Sequence, residues 1–295
     1  GLNPAIKWVT RSALDERRWS EAGGPFEVLG LRDGWKGLVE VNPSDPASLA
    51  QHTIPLTIPE VRTIDRAGGT ILGTSRTNPF DKKKERSAEA IRHIRELGLH
   101  ALVAIGGEDT LGVAMRLAER GMPVVGIPKT IDKDLSGTEY SLGFETAVQV
   151  ICDGIDNLRY TAGSHGRTFV VETMGRHAGH LALEGGLAGG ANVILIPEYD
   201  FDVDRVSALC LDRKNRGARY SIVVAAEGAK PRGRQEVTRG GKLDSFGHVA
   251  LGGLLLAVEL FDIGRAHPAR RVRAARSVVG RNVRSFDMES LHRGP

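Results

Sequence analysis

Residues 101–128 read ALVAIGGEDTLGVAMRLAERGMPVVGIP. Ala101-Leu102-Val103-Ala104-Ile105 is a short apolar run, which predicts a buried strand. The turn Gly106-Gly107-Glu108-Asp109-Thr110 follows, and then Leu111, Met115 and Ala118 recur at helical spacing until Gly121. Val124-Val125-Gly126-Ile127 predicts the next strand. Strand, loop, helix and strand within about 30 residues make a βαβ unit, and that unit implies a parallel sheet.

The pattern continues on both sides. Upstream, Ala90, Ile91, Ile94 and Leu97 predict a helix that Gly98 can end as its C′ residue. Downstream, β-like runs at Thr168–Glu172, Val193–Ile196 and Tyr220–Ala226 alternate with helical stretches. The fold class is therefore α/β with a mainly parallel sheet. In such sheets ligands bind beyond the carboxyl ends of the strands, where loops meet helix N-termini.

Composition agrees with a large α/β protein and excludes several other classes. The chain has 295 residues, 41% apolar and 26% charged, enough to bury a substantial core. Glycine is enriched at 37 residues without a collagen-like period, which fits many tight turns. The longest apolar stretch, Ala250–Leu256, is far short of the ~18 residues a membrane span needs. No secretory leader opens the sequence, and two cysteines, Cys152 and Cys210, fit a reducing compartment, so a cytoplasmic location is expected.

Charge is unevenly placed. The net charge is +4 and the isoelectric point about 9.2, a balance that can mark nucleic-acid or membrane binding. Residues 266–295, however, carry seven arginines against two acids, which leaves −1 for residues 1–265. The tail has Phe286 as its only aromatic, so it offers no stacking pattern for nucleic acid. Neither nucleic acid nor membrane is expected as a partner.

Three loops just after predicted strands can carry chemistry. In Gly106–Thr110, two glycines let backbone approach a phosphate, and a carboxylate there is sensible if Mg²⁺ lies between. Acids that merely complement a helix dipole would read the same way. In Pro128-Lys129-Thr130-Ile131-Asp132-Lys133-Asp134, an extended backbone would put Thr130, Asp132 and Asp134 on one side and both lysines on the other. Carboxylates beside hydroxyl and ammonium groups suit deprotonation of a sugar hydroxyl next to a phosphoryl group, although a solvated ion-paired loop has the same composition. In Glu172-Thr173-Met174-Gly175-Arg176 the arginine could neutralise charge on a transferred phosphoryl group, or simply lie on the surface.

Taken in order, these loops resemble the phosphofructokinase family. The match includes Gly68-Gly69-Thr70-Ile71-Leu72-Gly73-Thr74-Ser75-Arg76, Gly106–Thr110, Pro128–Asp134, Gly137–Ala147, Met174-Gly175-Arg176, Pro197-Glu198 and Ala226-Glu227-Gly228. It covers roughly residues 1–265. The resemblance implies two domains, each a mainly parallel sheet flanked by helices, with the active site between them. Residues 1–143 would form the larger donor-phosphate and Mg²⁺ domain, 144–265 the smaller fructose 6-phosphate domain, and 266–295 a tail foreign to the family. The implied reaction, a step of glycolysis, moves a phosphoryl group to the 1-hydroxyl of fructose 6-phosphate and yields fructose 1,6-bisphosphate.

Roles follow by matching positions. Asp132 matches the family's general base, with Thr130 and Ile131 beside it and Asp134 in support. Glu108 matches the position associated with Mg²⁺. Arg76 and Arg176 match residues that hold or stabilise the moving phosphoryl group. Arg167, Met174, Gly175 and Glu227 match sugar-phosphate contacts. The arginine at the position of Arg167 commonly reaches across from a neighbouring subunit, which implies a homodimer or homotetramer. Gly107, Asp109, Thr110 and Lys129 match the donor site. ATP-using members carry glycine where Asp109 stands, and a carboxylate there would repel an α-phosphate. Asp109 with Lys129 therefore points to pyrophosphate as donor, with ATP as the alternative.

The pattern breaks at both ends. Of the family's first glycine loop, Gly-Gly-x-x-Pro-Gly-x-Asn after an opening strand, only Gly1-Leu2-Asn3 is present. No Gly-His-x-Gln-Arg-Gly-Gly segment follows Arg265. The chain is accordingly expected to be a fragment, or its reading frame to shift near Arg265. An inactive sugar-phosphate-binding fragment is the alternative to an enzyme.

Overall fold

Alternating strands and helices build two units in the computed structural model, which describes residues 1–19, 24–233 and 246. Among these, Gly1–Thr130 and Phe246 fall in one unit and Ile131–Gly233 in the other, so the division comes earlier in the chain than residue 143. The arginine-rich tail at 266–295 and the end of the smaller expected domain lie outside the described residues.

The first unit contains α1 (Leu2–Ala13), β1 (Leu29–Leu31), α2 (Trp35–Glu40), α3 (Pro46–His52), β2 (Thr53–Pro55) and α4 (Ile58–Val61). It continues with α5 (Ser87–Glu96), β3 (Leu102–Gly106), α6 (Glu108–Ala118) and β4 (Val124–Pro128). Helix α5 ends where its sequence says it should. Gly98 has φ of +66°, its N–H reaches the Arg95 carbonyl at 3.0 Å, and the Leu99 N–H reaches the Ile94 carbonyl at 3.0 Å. That paired closure satisfies carbonyls that would otherwise be orphaned at the helix end.

Strands β3 and β4 are parallel, from Leu102 opposite Val124 to Gly106 opposite Pro128, as the βαβ reading requires. Two details of that reading are corrected. The second face of the strands is covered only in part: Ile105 packs on the cluster of Ile6, Leu56 and Val61, whereas the paired residues Val103 and Val125 are 42% and 59% exposed. The buried face of α6 is Val113, Ala114 and Leu117, while Met115 on the expected stripe is 59% exposed. Both stripes have helical spacing, and the core formed by Leu38, Ile94, Leu102 and Met122 selects the one with Val113 and Leu117. Strands β1 and β2 add a small antiparallel pair.

The second unit contains α7 (Phe144–His165), β5 (Thr168–Thr173), α8 (His180–Ala188), β6 (Val193–Leu195), α9 (Val203–Asn215) and β7 (Ser221–Ala226). Its sheet is parallel with the order β5-β7-β6, so β7 is central and buried at every position. Alternation along β7 explains why the strand is apolar throughout. Ile222, Val224 and Ala226 meet α7 and α8 through Ile151, Ile155 and Leu181, whereas Val223 and Ala225 meet α9 through Val206 and Cys210. Helices on both faces of a parallel sheet make this unit α/β, as expected. Among the described residues no helix is long and apolar enough to cross a membrane, and both cysteines are free.

Candidate active site

In the first unit the candidate residues gather at the carboxyl ends of β3 and β4. The chain leaves β3 at Gly106, and Gly107 is the N-cap of α6, with Glu108 and Asp109 in its first turn. The two strand exits are tied together, because the Lys129 N–H donates to the Gly106 carbonyl at 2.9 Å. Thr130 is buried beside Gly107, where an added Cβ would lie 3.5 Å from the threonine side chain. A Cβ on Gly106 would in turn strike the Thr110 side chain at the start of α6, 2.5 Å away. Gly107, Thr110, Lys129 and Thr130 are thus neighbours by backbone geometry.

Arg76 joins this group from a separate loop. Its Nη1 lies 3.8 Å from Oδ2 of Asp109, with the arginine well exposed and the aspartate about one-third exposed. Glu108 is exposed at the same helix start. An exposed carboxylate and an arginine at a helix N-terminus form a place where a polyphosphate and a cation can meet.

In the second unit the candidates gather at the carboxyl ends of β5 and β7. The Glu227 N–H donates to the Thr173 carbonyl at 2.9 Å and the Gly228 N–H to the Gly175 carbonyl at 3.1 Å, which carries the pairing past the strand ends. Met174, Gly175, Arg176 and Glu227 are therefore adjacent, with Arg176 and Glu227 half-buried. Gly175 has φ of +132°. The Gly179 N–H donates to Glu198 Oε1 at 2.7 Å, so the second residue of the Pro197-Glu198 motif anchors the loop that bears Arg176.

The segment Ile131–Asp134 also belongs to this unit, with Ile131 packed on the core around Phe144 and Leu181. The expected sharing of one side by Asp132 and Asp134 is not what forms. Lys133 between them has φ of +55°, which breaks the two-residue alternation of an extended chain. Asp132 is half-buried and Asp134 exposed.

Arg167 stands apart from its expected partners. It precedes β5, and its N–H bonds to the Ala162 carbonyl at the end of α7. The six-residue strand β5, roughly 20 Å long, separates it from Met174. A surface depression of about 430 Å³ lies at that same amino-terminal end of the sheet, lined by Gly163–Gly166, Lys214 and Gly217–Arg219, away from Arg176 and Glu227.

The family model "Phosphofructokinase" matches residues 1–265. The chain belongs to the phosphofructokinase family. It is 48% identical over 255 residues to the pyrophosphate–fructose 6-phosphate 1-phosphotransferase of Amycolatopsis methanolica, covering 86% of this chain and 69% of that protein. It is 42% identical over 263 residues to ATP-dependent 6-phosphofructokinase 3 of Streptomyces coelicolor, covering 88% of this chain and 72% of that protein. Among solved structures, Pichia pastoris phosphofructokinase in the T-state matches 93% of this chain and 28% of that chain, at 28% identity and a TM-score of 0.72. The α/β phosphofructokinase fold expected from the sequence is the fold observed.

Within this phosphofructokinase chain, two supports of the site were not anticipated from sequence. Asn3 is buried and uses both ends of its amide on the loop leading to Arg76: Nδ2 donates to the Ala67 carbonyl at 3.1 Å, and Oδ1 accepts from the Ile71 N–H at 2.8 Å. Glu184 on α8 accepts from Lys133 Nζ at 2.8 Å. The signal for Asn3 is its place next to a helix start; Glu184 carries no local signal.

Proposed function

We propose that this chain transfers a phosphoryl group from pyrophosphate to the 1-hydroxyl of fructose 6-phosphate. One observation carries the reading most: Asp109 stands in the first turn of α6 with its carboxylate 3.8 Å from Arg76, next to the Gly106–Lys129 clamp. A carboxylate there opposes the α-phosphate of a nucleotide, while Arg76 and Lys129 suit the compact charge of pyrophosphate. The names of the bacterial relatives quoted above include both donors, so ATP is the competing reading.

Each residue then has a task. Asp132 accepts the proton of the 1-hydroxyl as its oxygen attacks the terminal phosphorus, and the bridging P–O bond breaks to release phosphate. Thr130 and Asp134 flank that carboxylate in sequence and hold its loop. Arg176 meets the charge on the transferred group. Met174, Gly175 and Glu227 hold the sugar phosphate. Arg167, at the other end of β5, serves the sugar site of a neighbouring subunit in a homo-oligomer, a reading that its separation from Met174 favours.

Magnesium fits this donor set. Among the described residues no group of three or more His, Cys, Asp or Glu side chains could hold a metal alone. Mg²⁺ is typically held by one or two carboxylates, with phosphates and water completing its octahedron, and an exposed Glu108 provides such a carboxylate. When bound, Mg²⁺ would neutralise phosphate charge.

The test is a coupled assay of the chain with fructose 6-phosphate and Mg²⁺, comparing pyrophosphate with ATP. Fructose 1,6-bisphosphate should form with pyrophosphate and much more slowly with ATP. No turnover with either donor would overturn the proposal, and faster turnover with ATP would replace its donor.

A further inference from the structure

We infer that Lys133 is a positioning residue, tying the loop that bears Asp132 and Asp134 to the second unit's core through Glu184. This rests on the reading of Asp132 as proton acceptor given above. Lys133 and Asp33 are the two non-glycine residues with positive φ among the described residues. The left-handed conformation is disfavoured for a residue with a Cβ and persists only where its surroundings hold it.

Those surroundings are specific. Lys133 Nζ donates to Glu184 Oε1 at 2.8 Å and lies 4.8 Å from the ring centre of Phe144. Phe144 is fully buried at the start of α7, and Glu184 is on α8. Both helices pack on the sheet core, so the ammonium is fixed against rigid elements. The Glu184 hydrogen bond raises the Lys133 pKa, and the nearby Glu145 carboxylate reinforces it, so the lysine stays charged.

The pair's energetics point to orientation rather than stability. Its side chains are 31% and 38% exposed, and exposed ion pairs contribute little to folding. Its geometric consequence is larger. With Lys133 left-handed, Asp132 is half-buried and Asp134 exposed; with Lys133 extended, both carboxylates would turn to one side. Releasing the pair lets the loop sample the extended form and misplaces the proton acceptor.

Lys133→Met, Glu184→Gln and the double variant test this with two readouts on the full chain. Amide hydrogen exchange at residues 131–135 should rise about tenfold or more in each single variant, with the melting temperature little changed. In the pyrophosphate assay kcat should fall on the order of tenfold to a hundredfold, with KM for fructose 6-phosphate much less affected. The double variant should be no worse than either single one, because the residues act as a pair. Wild-type exchange in Lys133→Met would overturn the inference even in a preparation without turnover, as would multiplicative losses in the double variant. Asp132→Asn separates the two levels: full activity in that variant removes the role of Asp132, while the exchange result continues to report on the Lys133–Glu184 tie.

Discussion

Gly228 lies directly against the backbone carbonyl of Arg176, and a Cβ at Gly228 would overlap that oxygen. The contact is backbone on backbone, so no side-chain rotation relieves it. Gly228 also donates to the Gly175 carbonyl at 3.1 Å, which holds the loops after β5 and β7 together. Gly228→Ala should therefore push Arg176 away from Glu227. We expect a loss of about 1–3 kcal/mol in stability, the usual cost of overpacking, and a larger loss of activity than of fold. Denaturant titration with parallel kinetics checks this, and a variant with wild-type midpoint and kcat would contradict the close apposition.

Asn3 does for the Arg76 loop what Gly228 does for the Arg176 loop. Its buried amide serves as donor to Ala67 and acceptor from Ile71, and its own N–H reaches the Gly69 carbonyl at 3.3 Å. Asn3→Ala removes both hydrogen bonds, one to the exposed Ala67 carbonyl and one from the half-buried Ile71 N–H, at about 0.5–1.5 kcal/mol each. Asn3→Asp keeps the acceptor but sets a carboxylate against the Ala67 carbonyl. Both variants should raise KM for pyrophosphate, with the aspartate variant at least as impaired in melting temperature. Unchanged donor kinetics in both would dissociate this loop from donor binding.

These two supports mark where the sequence was readable and where it was not. The strand order of the βαβ unit, the stop of α5 at Gly98 and the glycine turn before α6 are set by neighbours in the chain, and they could be read directly. The buried face of α6 depends on Leu38 and Ile94, which are remote in sequence, so spacing alone left two stripes possible. Asn3 and Ala67 are 64 residues apart, and Lys133 and Glu184 are 51 apart. The left-handed Lys133 could not be foreseen, because lysine has no preference for that region; its partner on α8 holds it there. Candidate residues were legible as loop motifs after strands, while the side chains that aim them come from other elements.

Lys7 and Asp65 give a pH-dependent contribution to the first unit. Nζ lies 2.7 Å from Oδ1, with the lysine side chain largely buried. The Lys7 hydrogen bond holds the Asp65 carboxyl below its usual range, against a smaller opposing effect of burial. Because the folded-state pKa is depressed, the stabilisation is complete above the unfolded-state pKa, about 4, and is lost as pH falls through the lower folded-state value. Asp65→Asn should be less stable than wild type at neutral pH, and the gap should close as pH drops below about 4. Urea midpoints measured across that range check the sign; a gap that widens in acid would refute it.

Asp109 offers the sharpest test of donor choice. Its ion pair with Arg76 is long at 3.8 Å and well exposed on the arginine side, so removing it should change stability by less than about 1 kcal/mol. Glycine in the first turn of α6 also weakens that helix by about 1 kcal/mol, so the ratio of the two donors, rather than stability, reports the effect of Asp109→Gly on binding. Losing the carboxylate removes repulsion of a nucleotide α-phosphate and leaves Arg76 without this partner beside the helix start. The ratio of kcat/KM for ATP to that for pyrophosphate should rise on the order of tenfold to a hundredfold, equivalent to about 1.4–2.8 kcal/mol of discrimination. Lys129→Gly should lower kcat/KM for pyrophosphate more than for ATP, because a compact donor has fewer other contacts to compensate. Parallel assays with both donors decide the matter: an unchanged ratio in Asp109→Gly would mean that discrimination resides elsewhere in the donor loop, and the assignment of Asp109 would fall.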